Sequence, residues 1–554
     1  MKKLSLLFLI TLVIVSCKEE PKTPEKTLAD IVIEQTQVVQ DSTDFREFKV
    51  LDSKYINSEY VMFSVKDDLD GFTEGNYNEL KALIIDQDIP TLQSHILNGK
   101  LSYENLTKFF LYRIGKYDRN NDLSLNSIIA LNANAVEAAK QKDEILKSSG
   151  KTLEDIQHSV FGMPILLKDN INADGMMTTA GAAALANNKV SDAFVVERLK
   201  ENGAIILGKA NLSEWAYFFC GDCPSGYSAY GGQTLNPYGR RVFDTGGSSS
   251  GSGVSATTNF AVAAIGSETA GSILSPASSN SAVGIKPTIG LLSRGGVVPI
   301  SSTLDTTGPI TKNVIDNAIV LSAMIGKDNN DSASFVNHGD GFNYADNLNV
   351  DLKGKRFGAI KGLLQDTLYT NAVNVLKGLG AEIVEIDQER VNLPGFSQFL
   401  TAEMKIDLPT YFNNYGDQSL NLKNAKDVVA FNDLDSLKTA PYGQRLFHGI
   451  VTDSTTKDEL NAMRDVLRTN GRKFFDTPMD AHNLDGILSI NNFHAGFAAV
   501  ALYPALTVPM GYRNNGQPRG LTFIAKSKEE LKLLSWAKAY EDASKMRVSP
   551  KNYN

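Results

Sequence analysis

The chain has 554 residues, 42% of them hydrophobic and 21% charged, and carries a net charge of −8. That composition is ordinary for a globular protein, and the length suits either several domains or one large α/β enzyme. The acidic balance argues against a nucleic-acid partner, which needs a basic surface. Past residue 20 no run reaches the about 18 apolar residues of a membrane helix.

The N-terminus differs from the rest. Lys2 and Lys3 precede a mostly apolar run, Leu4 to Val15, that ends Ile14-Val-Ser-Cys17. A basic start before a short apolar core is the pattern of a secretory signal, too short for a comfortable span. The ending resembles the bacterial lipobox, in which cleavage leaves a Cys whose thiol takes a diacylglycerol. Residues 1–16 are therefore expected to be a signal peptide. Residues 17–75 are expected to be a lipidated Cys17, a tether and an N-terminal extension. Residues 18–45 are polar and charged, with little to bury. The chain is expected outside the cytoplasm, held to a membrane by its lipid, on the periplasmic side or at the cell surface.

From about Asn76 to Lys147 the pattern is helical. Leu80, Leu83 and Ile84 share a face, followed by Ile89, Leu92 and Ile96, and Ile128–Leu146 reads as one long Ala-rich helix. The chain then alternates. Pro164–Leu167 is a short buried strand, Ser191–Asn202 a helix and Ala204–Leu207 a second strand, broken by Gly208. Asn211 or Ser213 could cap the next element. Gly and Ser dominate 245–255 and 266–282, where backbone must approach something closely. Residues 330–480 are more helical and read as an insertion on the substrate side. Strands return at Ile487–Ile490, Ala505–Pro509 and Leu521–Ile524, and a last helix covers about Lys528–Met546. Strands alternating with helices indicate an α/β fold, here a single domain over 76–550.

The chain has three Cys, too few for a disulfide framework. Cys220-Gly-Asp-Cys223 has redox spacing, which leaves a loop disulfide or two inert thiols. No second Cys or His pair lies nearby to complete a zinc site, so no metal and no cofactor is expected.

Three segments carry chemistry. In Gly162-Met-Pro-Ile-Leu-Leu-Lys168-Asp169-Asn170 a Lys directly follows an apolar strand. Burying an ammonium is expensive, so such a Lys moves toward its neutral form and becomes a competent base. A salt bridge from Lys168 to Asp169 or to another nearby carboxylate is the plain structural alternative. Asp244-Thr-Gly-Gly-Ser248-Ser-Ser-Gly-Ser-Gly253 feeds soon into the apolar run Phe260–Ala264, unlike a mere linker, and can present backbone N–H groups at a helix start. In Gly266-Ser-Glu-Thr-Ala-Gly-Ser272, small residues let the N–H groups of Thr269, Ala270, Gly271 and Ser272 converge on one oxygen, as an oxyanion hole requires.

In order and spacing these segments resemble the amidase-signature family. There a Lys ends a GxPxxxKDN strand, a Ser follows in GGSS(S/G)G, and the nucleophilic Ser lies 24 residues on; here 272 − 248 = 24. Also similar are Gly208-Lys-Ala-Asn-Leu-Ser-Glu-Trp215, Gly231-Gly-Gln-Thr-Leu-Asn-Pro237, Val283-Gly-Ile-Lys-Pro-Thr288, Asp305-Thr-Thr-Gly-Pro309 and the tail from Tyr503-Pro-Ala to Gly520-Leu-Thr-Phe-Ile524. The resemblance covers roughly 78–547. It implies a central mixed, twisted sheet with helices on both faces, and a Ser-cisSer-Lys triad of Ser272, Ser248 and Lys168. Ser272 would attack an amide carbon, Ser248 would relay the proton to Lys168, and water would release the acyl group. The substrate is then a small-molecule or peptide amide.

Two rival readings exist. Gly247-Ser-Ser249-Ser-Gly251 also fits the nucleophile elbow of α/β-hydrolases, which would make Ser249 the nucleophile of an esterase. None of the later His residues, His338, His448, His482 and His494, sits in a recognisable loop. The other reading is a non-catalytic binding lipoprotein on an amidase scaffold. Many family members carry an Arg at or beside the positions of Leu274 and Ser275, so no guanidinium is available here to clamp a substrate carboxylate. Glu268 and the surrounding wording resemble the peptide-amidase branch, which acts on C-terminal peptide amides.

Overall fold

The computed structural model describes residues 49–339 and 341–553. The signal segment, Cys17 and the tether lie outside them. Thirteen strands occur in chain order: β1 Ile128–Leu131, β2 Pro164–Lys168, β3 Ile205–Ala210, β4 Tyr227–Ser228, β5 Gly232–Gln233, β6 Ala263–Glu268, β7 Val283–Lys286, β8 Thr306–Thr311, β9 Arg356–Ile360, β10 Glu382–Ile386, β11 Gly486–Ile490, β12 Ala505–Tyr512 and β13 Pro518–Ile524. Eleven form one sheet in the order β1-β3-β2-β6-β8-β7-β12-β13-β11-β9-β10, and β4 with β5 forms a separate ribbon.

The sheet is mixed. β2 runs parallel to both β3 and β6, while β6, β8, β7, β12 and β13 pair antiparallel in series. Helices cover both faces. On one face, Ile285, Leu506 and Val508 share a core with Val314 and Ala318 of the helix Val314–Met324 and Leu533 and Leu534 of the helix Glu530–Ser544. On the other face, Gly284 leaves room for Ala277 and Ile273. The expected mixed α/β sheet is the observed one.

The N-terminal helices begin where the sequence supplies caps. Thr73, Asp88 and Ser102 each accept an N–H of the first turn of Glu74–Ile84, Ile89–Leu97 and Tyr103–Tyr117. Residues before 76 also join the core, with Val50, Leu51, Ile56 and Val61 buried.

Several expected elements differ. Ile128–Leu146 is not one helix: Ile128–Leu131 is an edge strand on β3, and a helix runs Ala135–Ser149. The β-branched start fits a pleated edge, and Asn132 bonds back to Leu207 and Ile206 between the two. Gly208 does not end β3, which continues to Ala210. A Cβ there would lie 2.4 Å from the Ala130 carbonyl oxygen, so glycine permits the strand contact instead of breaking it. Ser213 opens a short turn, Glu214–Tyr217, but its side chain caps nothing there and instead accepts the Gly226 N–H at 2.8 Å. The helix expected from Ser191 starts at Phe194.

Residues 330–480 are not wholly helical. β9 and β10 form a parallel pair joined through the helix Thr367–Gly378, and they extend the sheet at its far edge. β9 is buried from Phe357 to Ile360, as an interior strand is, while β10 at the sheet edge is mostly exposed or half-buried. The later helices, Phe396–Asn414, Ala425–Asp433, Arg445–Thr452 and Lys457–His482, pack with Trp215, Phe218, Phe219, Val298 and Ile300 in a second apolar cluster.

Candidate active site

Three segments meet at one end of the sheet. β2 and β6 lie side by side in register, Ile165 with Ala263 and Leu167 with Ile265, which brings Lys168 beside Ser267. Ser248 arrives from the loop before the helix Ser250–Thr257, and the Gly247–Ser248 peptide bond is cis. Ser272 comes after β6, beyond a short loop. Backbone bonds tie the segments together: Ser213 N–H donates to the Ser248 carbonyl at 3.0 Å, and Ser249 N–H to the Ser272 carbonyl at 3.2 Å.

Lys168 is 0% exposed. Its Nζ lies 2.8 Å from Ser248 Oγ, 2.9 Å from Ser267 Oγ and 3.1 Å from the Ser267 carbonyl oxygen. All three partners are neutral. Burial pushes the amine down from 10.5 to about 7, although Asp305 and Glu268 pull toward the charged form. Asp169 does not pair with it. Neighbours in a strand point to opposite faces, and Asp169 instead meets Lys209 of β3 at 3.2 Å with both side chains fully buried. The plain structural alternative for Lys168 is therefore not what the fold adopts.

The loop after β6 is held from below. Glu268 Oε2 accepts the N–H groups of Ile273 at 2.7 Å and Leu274 at 3.0 Å, directly behind Ser272. Thr269 Oγ1 donates to Asp305 Oδ1, and Asp305 Oδ2 accepts the N–H groups of Ile300 and Ser301. No backbone carbonyl among the described residues takes the N–H of Thr269, Ala270, Gly271 or Ser272. Gly271 has φ +102, and a Cβ there would stand 2.7 Å from Asn492 Nδ2. Ser272 is half-buried in this loop, and its carbonyl is tied to the Ser249 N–H next to Ser248.

Ser249 is placed otherwise. It is fully buried, its hydroxyl donates to the Ser267 carbonyl at 3.0 Å, and it accepts the Ser267 N–H at 3.2 Å. The buried His494 lies against Ser489 at 2.6 Å. Ser249 is a brace between two segments and lacks the free hydroxyl of an elbow nucleophile. Leu274 is buried and Ser275 half-buried. Cys220 and Cys223 are joined in a disulfide with Cα atoms 5.9 Å apart, which settles the two readings of that pair.

Four residues beyond the sequence reading complete the site. Ser267 and Asn170 form the polar seat of Lys168, with Asn170 Nδ2 donating to Ser267 Oγ at 2.9 Å. Glu268 and Asp305 hold the loop. Their signal was present, as polar residues at the ends of apolar strands in the quoted motifs, but nothing local told which way each pointed.

Known proteins bear on this arrangement. The family model described as Amidase matches residues 105–489. A probable amidase of Arabidopsis thaliana is 35% identical over 475 residues, 82% of this chain and 89% of that one. Among solved structures, an amidase family protein from Bacillus anthracis str. Ames aligns with a TM-score of 0.85 at 36% identity, covering 90% of this chain and 99% of that one. The native peptide amidase of Stenotrophomonas maltophilia aligns with a TM-score of 0.77 at 36% identity, covering 84% and 98%. The motifs, the fold and the relatives agree: the chain belongs to the amidase-signature family of amide hydrolases.

Proposed function

We propose that this chain hydrolyses a carboxamide through an acyl-enzyme, with Ser272 as nucleophile, Ser248 as proton relay and Lys168 as base. The observation that carries the reading is the fully buried Lys168 amine, 2.8 Å from Ser248 Oγ and without a carboxylate partner among the described residues. A hydroxyl near its free pKa needs a base. Ser272 Oγ attacks the amide carbon while its proton passes through Ser248 to Lys168. The oxyanion is met by the N–H groups of Thr269 to Ser272. The relay returns the proton to the leaving nitrogen, which departs as ammonia or an amine. Water then attacks the acyl-Ser272 ester by the same relay, releasing the carboxylic acid and restoring the serine.

We assign C-terminal peptide amides as the substrate class. Support comes from the likeness to the peptide amidase and from Leu274 and Ser275, which offer no guanidinium to hold a substrate carboxylate. We also place the enzyme outside the cytoplasm, anchored through a lipidated Cys17, a setting in which peptide amides are accessible. The esterase reading through Ser249 has the brace geometry against it, and the non-catalytic reading has the presence of all three of Lys168, Ser248 and Ser272 against it.

The test is ammonia release by purified protein from peptide amides, set against aliphatic and aryl amides, with S272A as control. Peptide amides should lead, and S272A should be inactive. Turnover surviving in S272A sinks the mechanism, and preference for small amides sinks the substrate assignment. For the anchor, C17A or globomycin should leave an unlipidated precursor; a mature N-terminus elsewhere, free of lipid, refutes it.

A further inference from the structure

A second lysine is buried at the same end of the sheet. Lys286 ends β7 and is 0% exposed, and its amine reaches only the Pro287 carbonyl, at 3.5 Å. Two buried carboxylates act on it through their charge without an ion pair to it among the described residues, Glu268 from β6, across β8, and Glu530 from the helix Glu530–Ser544. Each spends one oxygen on backbone. Glu268 Oε2 takes the N–H groups of Ile273 and Leu274, and Glu530 Oε1 takes that of Thr288 at 2.7 Å. Each keeps its other oxygen, Glu268 Oε1 and Glu530 Oε2, buried without a hydrogen-bond partner among the described residues. A weakly bonded lysine amine, which burial pushes down from 10.5 to about 8 against the pull of Glu268 and Glu530, and two orphan carboxylate oxygens thus lie buried at this end of the sheet.

Glu268 is the member that holds the turn behind Ser272. One of its oxygens accepts two backbone N–H groups, from Ile273 and Leu274. A buried charge needs an opposite charge. The lysines acting on Glu268 are Lys168 and Lys286. If Lys168 supplied the balance it would have to hold its proton, and it could not collect one from Ser248.

We propose that Lys286 is a positioning residue for the amide hydrolysis: its buried ammonium balances the Glu268 carboxylate that fixes the turn behind Ser272, and so releases Lys168 from that task. The inference rests on the reading of Lys168 as base. The charged or titratable groups around this space include Glu268, Glu530, Lys168 beyond Glu268, Tyr344 beside Glu530, and Asp305, which bonds Thr269 next to Glu268, is pushed up to about 6 by burial and also acts on Lys168.

The test is kcat/KM against pH on a neutral amide for the wild type, K286M, E268Q and K286M/E268Q, with fluorophosphonate labelling rates alongside. Gln at 268 keeps an oxygen for the two N–H groups but loses the charge. In K286M the unbalanced Glu268 turns to Lys168. The acid limb should rise by about one pH unit, a tenfold loss below it. E268Q should lower the limb, and the double variant should track E268Q. A melting-temperature loss in K286M with an unmoved limb overturns the proposal, since a merely structural lysine would do that. A double variant that keeps the raised limb also overturns it, because Glu530 would then be the partner. If K286M fails to fold, a folded double variant supports the proposal, and an unfolded double beside a folded E268Q overturns it. The base assignment is read separately in K168A. Turnover retained there removes that reading itself, whereas an inactive K168A with an unmoved K286M limb removes only the inference.

Discussion

Replacing Lys168 by Met gives a prediction in which stability and activity move in opposite directions. The unfolded chain holds a lysine near 10.5, whereas the folded site holds it at about 7. The folded state therefore binds fewer protons between those values, and its stability rises with pH across that window. The penalty for Lys168 is full below about pH 7, fades through the window and is gone above 10.5. Each pH unit is worth about 1.4 kcal/mol. K168M removes the penalty but strands Ser248 and Ser267 oxygens, at about 1 kcal/mol each. K168M should therefore gain on the wild type as pH falls from 10 to 7, by several kcal/mol in all. Amide hydrolysis by K168M should be down by orders of magnitude at every pH, while the wild-type rate climbs through about pH 7. Urea unfolding of both proteins at several pH values, paired with ammonia-release rates, reads both effects. A stability difference independent of pH refutes the argument, because a lysine that keeps its proton in the fold would give none of this slope.

The same geometry yields four more expected outcomes. A fluorophosphonate label should map to Ser272 and vanish in S272A, while S249A should keep the label and lose about 1–3 kcal/mol of stability through the unpaired Ser267 N–H; peptide mapping and melts check both. S248A should slow acylation by orders of magnitude, and S248A/K168A should be little worse than the poorer single variant, as single-turnover rates would show. G271A, with its Cβ driven toward Asn492 at a positive φ, should lower kcat about tenfold or more; unchanged kcat would separate this loop from the chemistry. K209M should cost about 3–5 kcal/mol by stranding buried Asp169, and K209M/D169L much less, measured by denaturant unfolding.

Much of the site was legible because its chemistry is local in sequence. A lysine closing an apolar strand, a Gly/Ser run feeding into apolar residues, and a Ser after five small or polar residues each announce themselves. Their spacing then does the rest. The fold was legible in class but not in detail. Ile128–Leu131 vanished into an Ala-rich stretch because a four-residue edge strand has too few residues to show a period against the helix behind it. Gly208 misled because the local rule reads a breaker, whereas the reason for it is the Ala130 carbonyl on another strand. The pairing of Asp169 with Lys209 was equally hidden, although strand alternation alone puts Lys168 and Asp169 on opposite faces.

What sequence could not give is the sorting of charge around Lys168. Among the described residues, Asp169 follows Lys168 in the chain, Asp305 and Glu268 act on it through their charge, and Glu530 acts on the neighbouring Lys286. Asp169 is turned to the other face and held by Lys209. Asp305 is taken up by Thr269 and two N–H groups. Glu268 is turned under the nucleophile loop, where the N–H groups of Ile273 and Leu274 hold it. Glu530 bonds the Thr288 backbone at the far side of Lys286. The groups left to touch the Lys168 amine are serine hydroxyls and a carbonyl oxygen, which accept its N–H bonds without supplying a full negative charge. This explains the density of small hydroxyl residues at 248–252 and 266–272 better than flexibility does. They let three backbones close on a lysine, satisfy its hydrogen bonds, and leave its proton affinity low enough to serve a base at neutral pH.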